Sequence, residues 1–188
     1  MKEPQTLTLT YDSVATTTFD SSESQIATQN DVGARATAAG QILTINMTDV
    51  DSSIEIDYVR TLTLTVRRSA RPTGHPRFVR NEVQNIISFG GGGAPDNIGT
   101  DIYKSNDSSF TDVSFGFNIF SHSMVPYLND MTVKTTIVAF AGTAYIDFDY
   151  LKVDVEYVPK ISAYDSTVSR VTTRNGTIAL KEGTVILD

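Results

Sequence analysis

The chain has no cysteine, no tryptophan and only two histidines, His75 and His122, among 188 residues. Without thiols there can be no disulfide, no thiolate zinc site and no cysteine nucleophile. Two imidazoles leave little for acid–base or metal chemistry. No apolar run approaches the roughly 18 residues of a membrane span. The opening Met1-Lys2-Glu3-Pro4-Gln5-Thr6 lacks the apolar stretch of a secretory signal. The sequence therefore predicts a chain made in the cytoplasm, without export and without a membrane. Positive charge is also scarce: 15 Lys+Arg face 22 Asp+Glu, a formal charge of −7. That balance argues against nucleic acid as the partner.

Hydroxyl side chains are abundant instead, with 25 Thr and 17 Ser. Thr suits half-exposed sheet surface, and the Lys, Glu and Ala background of a helical protein is thin. Periodicity agrees. Leu43, Ile45 and Met47 alternate with Thr44, Asn46 and Thr48. Tyr58, Arg60, Leu62, Leu64 and Val66 alternate with Val59 and three threonines, and Val113, Phe115, Phe117 and Ile119 with Ser114, Gly116 and Asn118. Each reads as a strand with one dry and one wet face. Leu7–Tyr11, Val83–Phe89, Asp101–Lys104 and Val133–Phe140 are further strands. Turn signals separate them at Gly90–Asn97, Ser105–Ser109 and Leu128–Asp130. Ser24–Gln29 and Met124–Asp130 each suit at most one helical turn. The fold class is all-β, an antiparallel sandwich.

Residues 143–158 form one long β run, too long for a straight strand in a domain this size. Ala144, Ile146, Phe148 and Tyr150 are even, whereas Leu151, Val153, Val155 and Tyr157 are odd. The dry face must change parity near Tyr150–Leu151, by a β-bulge or a switch between sheets. After Pro159 the character changes. Gly176–Leu180 and Gly183–Leu187 make a short internal repeat of strand-like segments flanked by Asn175-Gly176 and Glu182-Gly183. The chain divides into a body, 1–159, and a strand-rich appendage, 160–188.

No catalytic, cofactor or metal set emerges. Gly90–Gly93 is not followed by the Lys and helix of a phosphate loop. Ser121-His122-Ser123 places a hydroxyl beside an imidazole, but neighbours on a strand point apart. Asp49/Asp51 and Asp147/Asp149 are carboxylate pairs that suit calcium or, more simply, solvated outer faces. Charge is unevenly spread. Six Arg and no acid lie between Arg60 and Arg80, and residues 67–77 read as an exposed basic loop. Arg67, Arg68, Arg71 and Arg77 are candidate contacts for an acidic protein surface or anionic glycan. Ile178, Leu180, Val185 and Leu187 are concentrated at a chain end, which marks them as candidate assembly contacts.

Several segments form a recognisable order. They are Asn30–Thr37, Ser52–Val59 leading into Leu62–Arg68, Asn81–Gln84, Asn97–Thr100, Phe115-Gly116-Phe117 and Gly142–Val155. This order resembles a jelly-roll-like β-sandwich domain of structural and adhesive proteins of tailed bacteriophages and prophages. The likeness spans about residues 30–158. It departs where Phe115-Gly116 replaces the family's Trp-Gly, in the Arg-Pro-rich 67–77 segment, and in the tail. The resemblance implies a non-enzymatic virion part, decorating the capsid or belonging to the tail or baseplate. It would act by binding other virion proteins in many copies, with a host-surface glycan as a further partner. A carbohydrate-binding module or adhesin is the alternative, although the chain lacks Trp and has only eight Tyr for ring stacking on sugars.

Overall fold

The structure, a computed structural model, describes residues 3–20, 26–71, 77–85, 96–105, 109–121, 125–139, 145–160, 170–173, 176–181 and 184–187. Side chains are described except at 71, 77, 78, 81, 84, 85, 96–105, 121 and in the last three strands. The strands are β1 (Gln5–Thr17), β2 (Ala34–Ala36), β3 (Ile42–Met47), β4 (Ile56–Arg71), β5 (Arg77–Asn85) and β6 (Asp96–Ser105). Then follow β7 (Thr111–Ser121), β8 (Met131–Ala139), β9 (Tyr145–Pro159), β10 (Arg170–Thr173), β11 (Gly176–Lys181) and β12 (Thr184–Leu187). Among the described residues, helical structure is confined to 3₁₀ turns at residues 26–27 and Val125–Asp130, both within the expected segments.

All pairings are antiparallel, and β1 organises them. Its first half, Gln5–Thr10, pairs with β9, while Tyr11–Thr17 pairs with β3 through two register shifts. One layer is therefore β7-β4-β9-β1 and the other β1-β3-β8-β5-β6, with β2 continuing the first layer beside β9. A strand that serves both sheets through bulges is how a sandwich turns its corner. The layers enclose one core: Leu62, Leu64, Val153 and Val155 from the first meet Leu43, Ile45, Val133, Ile137 and Val83 from the second. Phe19 closes one end against Phe148, their ring centroids 5.6 Å apart.

The parity change in β9 is a bulge. Arg67 pairs with Tyr150 and Arg68 with Phe148, so Asp149 is an extra residue opposite no partner. Leu151, Val153 and Val155 then face the core on one side of it, and Phe148 and Ile146 on the other. The sheet switch belongs to β1, not β9.

Other expectations need correction. β4 runs through Arg67 and Arg68 to Arg71, and β5 starts at Arg77, so the basic segment is largely strand. The wet face assigned to Val59 is dry, because register shifts around Tyr58 and Arg60 rotate that residue inward. Asp96 and Asn97, read as turn, already pair with Asn85 and Gln84. Gly90–Gly93, His75 and His122 lie outside the described residues. In the appendage, β10 joins the expected hairpin as a third strand, and the register sets Ile178 opposite Leu187 and Leu180 opposite Val185.

Two substitutions separate core from edge. Phe148→Ala should cost about 3–5 kcal/mol in urea unfolding, because the ring is fully buried. Phe117→Ala should cost clearly less, since that ring is half-buried on the edge strand. Two glycines give a second contrast. A methyl on Gly33 would stand 2.7 Å from the Phe148 carbonyl oxygen, whereas one on Gly116 would meet nothing within 4 Å. Gly33→Ala should lose about 1–3 kcal/mol to overpacking, and Gly116→Ala should be neutral or slightly stabilising.

Candidate functional site

Each layer presents an outer face, and the two faces differ in how their polar groups are used. On the first layer many described groups are matched by a neighbour across the ladder, although Arg68 Nε, Ser69 Oγ and Asp149 Oδ2 are shielded without a hydrogen-bond partner. Thr8 donates to Asp154 at 2.6 Å, and Lys152 pairs with the same carboxylate at 2.8 Å. Arg60 and Thr61 both donate to Glu156, at 2.8 and 3.1 Å. The Thr65 and Ser114 hydroxyls share a hydrogen bond of 2.9 Å. The Asp154 carboxylate raises the Lys152 pKa, chiefly through that hydrogen bond.

The tightest constellation on this face surrounds Arg67. Its guanidinium contacts Asp31 at 2.6 Å, Asp112 at 3.1 Å and Asp149 at 3.2 Å. The hydrogen bonds that Arg67 donates to Asp31 and then Asp112 raise its pKa further. Asp149, fully buried in the bulge, also accepts the Asn30 amide at 3.1 Å. Asp31 has a left-handed φ of 60°, a conformation that aspartate tolerates. The Asn30 side chain accepts the Val32 amide, a local turn bond. Beside this cluster, Asp147 takes both Arg35 nitrogens at 2.8 and 3.1 Å, which raises the Arg35 pKa. The Arg35 guanidinium carbon lies 3.9 Å from the Tyr145 ring centroid.

These contacts correct two expectations. Asp147 and Asp149 are buried and paired with Arg35 and Arg67, so they do not form a solvated outer face. Arg67 is committed to three aspartates and Arg68 is buried, so neither belongs to an exposed basic loop. Asp49 and Asp51 are exposed, and the Ser53 amide lowers the Asp51 pKa. Among the described residues, no three His, Cys, Asp or Glu side chains gather as a metal site. No described helix is long and apolar enough to cross a membrane. An open hollow of about 430 Å³ lies between Gln5, Glu55, Tyr157 and Lys160. Its polar groups are already spoken for: Tyr157 donates to Gln5 at 2.9 Å and the Lys160 amide to the Glu55 carbonyl at 3.0 Å.

The second layer has unmatched groups of its own. Register lays out a grid on its outer face: Arg80–Thr136–Ile42, then Glu82–Lys134–Thr44, then position 84 with Thr132 and Asn46. β1 continues the last two rows with Thr16 and Ser13. Asn46 donates to Ser13 at 3.0 Å, but its carbonyl oxygen is shielded from solvent and has no hydrogen-bond partner. Nε of Arg80 is in the same state. The Glu82–Lys134 ion pair is 3.9 Å long, beyond hydrogen-bonding distance. Such unmatched groups are costly unless water or a ligand supplies the missing bond. With two strand spacings across and four residues along, the two atoms' residues stand roughly 17 Å apart. Sequence reasoning missed this face because alternation marks only which residues point outward. The orphaned atoms depend on what the neighbouring strands bring.

Neither a family model nor a curated protein matches the chain. Solved structures do resemble it at low identity. The CBM36-1 domain of a multidomain xylanase from the hindgut metagenome of Trinervitermes trinervoides is 14% identical, with a TM-score of 0.44 over 79% of this chain and 96% of that one. The CBM22-1 xylan-binding domain from Paenibacillus barcinonensis Xyn10C is 9% identical, with a TM-score of 0.43 over 80% and 86%. The N-terminal cellulose-binding domain from Cellulomonas fimi β-1,4-glucanase C is 13% identical, with a TM-score of 0.39 over 82% and 90%.

Arg67→Met should destabilise the fold by about 3–5 kcal/mol, because it strands the buried Asp149 carboxylate. Adding Asp149→Asn should recover most of that loss. Urea unfolding of the two single variants and the double variant gives the coupling directly.

Proposed function

We propose that the chain is a non-catalytic binding module and that the outer face of β1, β3, β8 and β5 receives a carbohydrate chain. The observation that supports this is the pair of shielded, unmatched groups on that face, the Asn46 carbonyl and Arg80 Nε. Their separation suits an elongated polar ligand better than a compact one. Hydroxyls can donate to the one and accept from the other. The described part of the face has Thr, Asn, Lys, Arg and Glu but no aromatic ring, so recognition would rest on hydrogen bonds rather than stacking. The similar structures include a cellulose-binding and a xylan-binding domain. At TM-scores no higher than 0.44 they select no ligand for this chain.

Titration with xylo-, cello- and host-surface oligosaccharides tests the proposal. Arg80→Met removes an unmatched donor, so thermal stability should hold within about 0.5 kcal/mol. Affinity should fall at least tenfold, since a hydrogen bond to a charged group is worth about 1.5–3 kcal/mol. A protein that binds no glycan, or a variant that binds as tightly as the parent, would overturn it.

A second role, as an accessory part of a tailed-phage particle, is favoured by one observation. Among the described residues, β10–β12 form a three-stranded sheet that shares no ladder with the sandwich. Its proposed contacts are Ile178, Leu180, Val185 and Leu187, together with Arg71 and Arg77. The chain would then be made in the host cytoplasm and carried on the virion. Truncation after Pro159 should leave the sandwich folded and abolish particle attachment. Retained attachment rejects the role.

A further inference from the structure

Arg80 differs from the arginines of the first layer in what answers its charge. Arg35, Arg60 and Arg67 each hold a carboxylate, at 2.8, 2.8 and 2.6 Å. Arg80 is half-buried, its Nε is shielded and unbonded, and its guanidinium forms no ion pair with any described residue. Glu82, two residues along β5, is turned instead to Lys134 at 3.9 Å. One positive charge is therefore left over among these three side chains. Thr136 stands opposite Arg80 with Ile42 beyond it, and Val138, 41% exposed, follows on the same face of β8. Apolar neighbours reduce screening by water and strengthen the attraction for any anion placed there.

Around Asn46 the charge has the other sign. Ser13 accepts the Asn46 amide and donates its hydroxyl to Asp12 at 2.9 Å. Asp12, the extra residue of the first β1 bulge, is exposed and forms no ion pair with a described residue. The face thus has a cation at its β5 end and an anion at its β1 end.

We propose that the glycan on this face is acidic at one end, with a uronic acid on Arg80 and neutral sugars running across β8 and β3 to Asn46. This rests on the glycan reading above and narrows it to a ligand class. A guanidinium only donates and keeps its charge at any working pH. A carboxylate can take two parallel N–H bonds from it, roughly twice as strong as bonds between neutral groups, whereas a sugar hydroxyl leaves the charge uncompensated. A second acid at the far end would meet Asp12, so a uniformly acidic chain suits the face less well. The anionic partner expected for the acid-free stretch Arg60–Arg80 is then met by its last arginine.

Calorimetric titration with four tetrasaccharides tests this. They are cellotetraose, the same chain oxidised to a uronic acid at its non-reducing end, the methyl ester of that acid, and the chain oxidised at all four units. The singly oxidised chain should bind at least tenfold more tightly than cellotetraose or the ester, and added salt should shrink that margin. The fully oxidised chain should bind more weakly than the singly oxidised one, and Asp12→Asn should narrow the gap. Arg80→Gln keeps donors but no charge, and should bring acid and ester within about twofold of each other. Equal affinity of the parent for acid and ester, or an Arg80→Gln protein that keeps the parent's preference, overturns the inference and leaves the glycan reading standing. No binding of any of the four overturns both. Should Arg80→Gln misfold, Glu82→Gln decides. Removing that acid should tighten the singly oxidised chain about threefold without tightening the ester, and an unchanged affinity rejects the proposal.

Discussion

A carboxylate that water cannot reach fixes the geometry of this domain. Asp149 occupies the extra position in the β9 bulge, where it is held by Arg67 and the Asn30 amide. Without the bulge, the apolar residues on the two halves of β9 would face opposite sides of the sheet. With it, Ile146 and Phe148 join Leu151, Val153 and Val155 in one core. Arg67 also draws Asp31 and Asp112 to the same point, tying the 30–33 segment and β7 to β4 and β9. A buried pair of this kind adds little net stability, because desolvation offsets the attraction. What it supplies is register: a one-residue slip would strand the charge as well as invert the side chains.

Against that fixed layer, the other reads as the working surface. Two sheets of similar composition put similar residues on their outer faces, but one spends them on itself. Thr8, Asp154, Lys152, Thr61, Glu156, Thr65 and Ser114 close a network that has little left for a visitor. Asn46 and Arg80 sit in a less complete network. Unsatisfied polar atoms in a well-packed sheet are rare enough to need a cause, and the binding proposed for this face would supply one here.

Much of this was legible in the chain. Alternation at Leu43–Met47 and Val113–Ile119 gave true strands with the expected faces, and the parity break near Tyr150 marked a real bulge one residue away. These succeed because side-chain parity is a local property of an extended chain. The errors share the opposite cause. Arg67 and Arg68 read as an exposed loop because charge usually marks solvent, and Arg67 is instead held by aspartates 36 and more residues distant. Asp147 and Asp149 misled in the same way. β1 was read as Leu7–Tyr11, since the Asp12–Thr17 half is held by β3 pairing and not by its own pattern. The unmatched Asn46 and Arg80 atoms were illegible for the same reason.

The way β1 is used also sets when the domain can close. Gln5 and Tyr157, which share a hydrogen bond, are 152 positions apart in the chain. At about 5–20 residues per second of synthesis, β1 waits roughly ten to thirty seconds for β9 to be made. Until then β4 lacks its longest neighbour and β7 has only β4 to shelter it. Sheets built from such distant pairings close slowly even once complete. For roughly the last two to eight seconds of that wait the nascent chain exposes β7, phenylalanine-rich and without charge from Val113 on, and its yield in a cell should depend on chaperone occupancy then more than on the stability of the finished sandwich.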